Sequence, residues 1–144
     1  MAGTLAIGIR IHQSSHGLGS DLIDLADEAL LAHEDCKYSL AVIKAGAFLE
    51  GLLVRLLAEW GVPTDGHPTL GPLIGVVRKA NQAPHELLER LNEANTIRNR
   101  APHNNPLRLS EVTEGDSLQI INILALVVDW CRRTGIAKTL LRLP

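Results

Sequence analysis

Aromatic side chains are nearly missing from this chain, at 3% of 144 residues against 46% hydrophobic residues in all. A core must therefore come from Leu, Ile, Val and Ala, with Tyr38, Phe48, Trp60 and Trp130 as isolated bulky pieces. That disfavours a β-sandwich, whose strands draw on aromatics, and favours packed helices. Cysteine is scarce too. Cys36 and Cys131 have neither a CxxC partner nor a zinc-like spacing, so both read as reduced packing residues in helical segments. No excess of basic residues exists: the formal charge of −2 excludes a surface that is basic throughout, of the kind that coats DNA. No apolar run approaches the ~20 residues of a membrane span. The first residues lack the basic n-region and apolar h-region of a signal peptide. These absences point to a cytoplasmic chain with no membrane association.

What is present is one domain's worth of periodic sequence. Residues 5–12 alternate, with Leu5, Ile7, Ile9 and Ile11 on one side, which is strand periodicity. In a helical chain that segment is either a strand that pairs with a second subunit or an extended arm, and residues 1–20 are read as an N-terminal arm. A helical bundle is expected over 21–134 and an apolar tail over 135–144. From Asp21, Leu22, Leu25, Ala26, Ala29 and Leu30 recur at helical spacing, with acids in the first turn. A second segment from about Glu34 to Trp60 is apolar around most of its circumference and stops at Gly61-Val62-Pro63, so it is the expected core helix. Thr69 can cap a third helix, Pro84 opens a fourth, and a last long helix starts between Ser110 and Asp116. The fold class is all-α, a bundle of four to five helices.

Chemistry concentrates in Arg98-Asn99-Arg100-Ala101-Pro102-His103. An arginine fork holds phosphate, and an imidazole takes and gives a proton near neutral pH. Residues 78–108 carry six basic side chains against three acids, whereas 21–35 hold six acids and no Lys or Arg. A cationic patch around the hexapeptide follows. At 100° per residue, Leu87, Leu91, Ala94 and Arg98 share one stripe, so Arg98 faces the core and Arg100 faces outward as a solvated charge. Pro102 and Pro106 hold His103, Asn104 and Asn105 in a turn. The plain alternative is a helix C-terminus whose Arg and His satisfy the last carbonyls; the inward direction of Arg98 argues against it. On the core helix Glu50 lies among apolar neighbours. A carboxylate there either reaches water at the bundle edge or meets a buried cation. His12 and His16 would need a helix to bind metal, and their segment alternates and contains glycines, so no metal or cofactor is expected.

An aliphatic helical bundle, a core helix with an internal Glu, and Arg98-Asn99 followed by His103, with four residues between Arg98 and His103, together resemble the HEPN superfamily (higher eukaryotes and prokaryotes nucleotide-binding). The likeness covers about residues 21–134. It implies a bundle that forms a homodimer, brings two motifs together and, in active members, cleaves RNA without metal. Carried over, Arg98 and His103 become the catalytic pair and Asn99 a supporting polar group. Glu50 is read from its helical face as a second supporting group that orients Arg98, and Arg100, Asn104 and Arg108 as outlying RNA contacts. A toxin, defence or RNA-processing endoribonuclease is implied, with an antitoxin or regulatory protein as further partner. The alternative is a catalytically silent HEPN module for nucleotide or RNA binding or for dimerisation. Toxin members tend to carry Tyr two residues after the His; here that position is Asn105, so modification of such a tyrosine is not expected.

Overall fold

In a computed structural model, described over residues 20–66, 68–101 and 112–133, five helices account for the periodic segments. They are α1 Ser20–Glu34, α2 Tyr38–Glu59, α3 Leu70–Ala80, α4 His85–Arg98 and α5 Glu114–Arg133. No strand occurs among the described residues. The expected alternating segment 5–12, the arm, the metal-spaced His12 and His16, and the tail all lie outside them.

The apolar circumference of α2 explains the architecture. Val42, Ala45, Phe48, Leu49, Leu52, Leu53, Leu56 and Leu57 are fully buried, because α2 packs against all four other helices. A helix apolar around most of its circumference has no stable place except the centre of a bundle. Its amphipathic neighbours each offer one stripe: Leu22, Ala26 and Ala29 from α1, Leu73, Ile74 and Val77 from α3, Leu91 and Ala94 from α4, and Ile120, Leu124, Val127 and Val128 from α5. Gly51 lets Leu22 approach, since a Cβ there would meet Leu22 Cδ2 at 2.8 Å. Arg55–Asp21 and Lys44–Glu28, both at 2.8 Å, join the exposed edges of α2 and α1.

One polar pair crosses the core. His33 Nδ1 and Ser117 Oγ lie 2.7 Å apart with both residues buried, tying the end of α1 to the start of α5. Neither side chain wastes its hydrogen-bonding capacity in the interior. Cys131 is buried in α5 as expected, and burial pushes its thiol up to about 12. Cys36 departs from its helical expectation. It is exposed in the α1–α2 turn at φ 60°, where Lys37 N–H donates to Ala32 O at 2.8 Å and Cys36 N–H to His33 O at 3.1 Å. This is a Schellman ending with cysteine in the left-handed position that glycine normally takes. The end of α2 uses the same pair of bonds around Gly61 (φ 74°), with Val62 N–H on Leu57 O and Gly61 N–H on Ala58 O.

Candidate functional site

Arg98 ends α4 on the stripe that holds Leu87, Leu91 and Ala94, and its stem lies against the backbone of α2 at Gly46. The contact is close enough that a Cβ at Gly46 would stand 2.7 Å from Arg98 Cδ and 3.1 Å from Nε. Only glycine leaves that room. Arg98 Nη1 is buried and has no hydrogen-bond partner. A guanidinium N–H in that state loses its water without gaining an acceptor, and an anionic oxygen is the acceptor that best repays the loss.

The space beside it is a cavity of about 360 Å³, walled by Arg98 and Asn99, by Glu50 of α2, by Asn95, and by the start of α3 at Thr69 and Gly71. Glu50 and Arg98 thus share a cavity, but no ion pair joins them among the described residues. Glu50 is half-buried. Thr69 occupies the N-cap position with extended backbone (φ −82°, ψ 170°), yet makes no side-chain cap hydrogen bond, which corrects the capping role expected of it. Since Pro72 has no N–H, the α3 terminus presents the amides of Leu70 and Gly71 with no intrahelical acceptor.

Arg100 is a second departure. It does not stand alone in solvent: its Nη1 meets Asp116 Oδ1 at 2.6 Å. Asp116 is held at the third position of α5 by a reciprocal cap, with its N–H donating to Thr113 Oγ1 at 3.1 Å and Thr113 N–H donating to Asp116 Oδ2 at 3.2 Å. The carboxylate at that helix start is fixed where an arginine leaving α4 can reach it. The Arg100–Asp116 bridge ties the residues just after α4 to the start of α5; between them in sequence lies the segment 102–111, which carries His103, Asn104 and Arg108. Those three residues lie outside the described ones.

Asn95 and Thr69 were not singled out as site residues by sequence. Asn95 had a signal, because it precedes Arg98 by three positions and so shares its helical face. A larger groove of about 510 Å³, floored by Leu126 and Trp130, shares no residue with the Arg98 cavity. Its arginines are already engaged: Arg90 with Glu93 at 3.1 Å and Arg133 with Asp129 at 3.1 Å. Among the described residues no three His, Cys, Asp or Glu gather as metal ligands, and no helix is long and apolar enough to cross a membrane. Compared with protein families, with curated proteins and with solved structures, the chain finds no significant match.

Proposed function

We propose that the chain is a metal-independent endoribonuclease of the HEPN type, acting as a homodimer. The observation that carries this reading is the buried, unpartnered Nη1 of Arg98 beside a polar cavity, at the end of the helix that leads into the His103 segment. In this reading Arg98 takes the scissile phosphate, and Asn99 supplies an amide to the same group. The ribose 2′-oxygen attacks phosphorus while the bond to the 5′-oxygen breaks. His103 moves the proton from the attacking hydroxyl or to the leaving oxygen. Arg98 offsets the charge that grows on the phosphoryl oxygens. The products are a 2′,3′-cyclic phosphate and a 5′-hydroxyl, and DNA, which lacks the attacking group, is inert. Glu50 faces the same cavity and orients bound substrate there, since no ion pair joins it to Arg98 among the described residues. A toxin or defence role with an antitoxin partner belongs to this reading.

The test is incubation of purified protein with single-stranded and structured RNA in EDTA, beside His103→Ala and Arg98→Ala. Cleavage in EDTA that both substitutions abolish is expected. Cleavage that survives either substitution, or that EDTA removes, overturns the mechanism. Binding of RNA without cleavage by the wild type would leave the silent module.

A further inference from the structure

Arg55 on α2 repeats the situation of Arg98. Its Nη2 donates to both carboxylate oxygens of Asp21, at 2.8 and 2.9 Å, while its Nη1 is buried with no partner. These are the two buried side-chain N–H groups left without an acceptor among the described residues. Arg55 also lines a cavity, of about 560 Å³, together with Val54, Thr64, Gly66, Glu50 and Thr69. Glu50 and Thr69 belong to the Arg98 cavity as well, so the two spaces adjoin along α2. The order along the floor is cation, carboxylate, cation. Glu50 and Arg55 are five residues apart, about 7.5 Å of helix rise.

Glu50 lines both spaces between the two arginines, so an anion placed at the middle would be opposed by its carboxylate. A nucleic-acid strand alternates in the matching sense, since phosphates are separated by a nucleoside whose base N–H groups donate to a carboxylate. We propose that Arg55 forms a second phosphate subsite for a single RNA strand, which runs from Arg98 past Glu50 to Arg55, with Asp21 restraining the guanidinium until the strand arrives. This rests on the RNA reading above and adds to it a binding residue remote from the motif.

The test uses fluorescein-labelled 2′-O-methyl oligouridylates of two and six nucleotides, which cannot be cleaved because the attacking hydroxyl is blocked. Anisotropy is expected to show tighter binding of the hexamer by the wild type. Arg55→Gln should weaken the hexamer about 10- to 100-fold, the size of one charge-assisted hydrogen bond, and leave the dinucleotide unchanged. Its salt slope should fall by about 0.7, the counterion displaced by one phosphate contact on a single strand. Asp21→Asn releases the guanidinium and should tighten the hexamer. Should Arg55→Gln fail to fold by circular dichroism, Asp21→Asn decides alone, with unchanged or weaker hexamer binding overturning the subsite. A folded Arg55→Gln that keeps hexamer affinity, or a wild type that binds both lengths equally, overturns it while RNA binding stands. A wild type that binds neither length removes the RNA reading itself.

Discussion

Gly46 sets the position of Arg98 more directly than any polar contact does. In the interior of an exposed helix, Gly→Ala adds about 1 kcal/mol of stability through propensity. Here the new methyl would fall 2.7 Å from Arg98 Cδ, on the mid-section of a flexible side chain. The chain can swing aside, so the fold survives and the guanidinium does not stay where it was. Gly46→Ala is expected to shift stability by less than about 1 kcal/mol and to lower RNA cleavage by about 100-fold, the scale of a misplaced catalytic group. Thermal melting and the EDTA cleavage assay check the two halves; a variant with wild-type cleavage would show that Arg98 need not stay in place. The inward aim of Arg98 was legible, because three buried neighbours on one helical stripe define the direction of a fourth residue. The fate of Arg100 was not. Its partner comes sixteen positions later in sequence, and only the returning chain brings that carboxylate back. Arg55 went unnoticed for a related reason: a cation on a largely apolar helix shows its partial burial only when the first helix packs beside it.

Among the elements, the start of α5 couples stability to the site. Asp116 serves two donors at once, Thr113 N–H on one oxygen and the Arg100 guanidinium on the other. Asp116→Asn keeps an oxygen for the cap and loses the ion pair, an expected cost of about 0.5 kcal/mol for a partly exposed bridge. Asp116→Ala loses both, and about 1.5 kcal/mol is expected by adding the loss of a cap. Urea unfolding of both variants separates the terms, and equal costs would mean that the cap contributes nothing. Helix boundaries were legible wherever a local signal ended the pattern. Gly61 stops α2 as its left-handed φ requires, and Pro84 stands directly before α4, its carbonyl accepting from Leu87 and Leu88 at 3.1 and 3.2 Å. The start of α2, Tyr38, falls four residues after the expected Glu34, because cysteine takes the left-handed position in the turn between. Nothing in the type of residue 36 announces such a turn, since a non-glycine residue there bears a steric cost that only the surrounding packing can offset.

On the proposed reading, the whole molecule must answer how one Arg98 and one His103 suffice. One imidazole can take the proton from the attacking hydroxyl and pass it to the leaving oxygen in turn, but it must stand beside a phosphate that an arginine holds. A homodimer that faces two motifs across an interface answers this, and it makes a prediction that no single-chain site shares. Arg98→Ala and His103→Ala are each expected to be inactive as homodimers. When the two are unfolded together and refolded, mixed dimers hold one intact Arg98 from the His103 variant and one intact His103 from the Arg98 variant. If the arginine of one subunit serves the histidine of the other, cleavage returns in the mixture and is absent from either parent treated alike. Sedimentation and native mass spectrometry would establish that mixed dimers have formed. Their presence without restored cleavage would confine each site to one chain, and a strictly monomeric wild type would remove the composite site altogether.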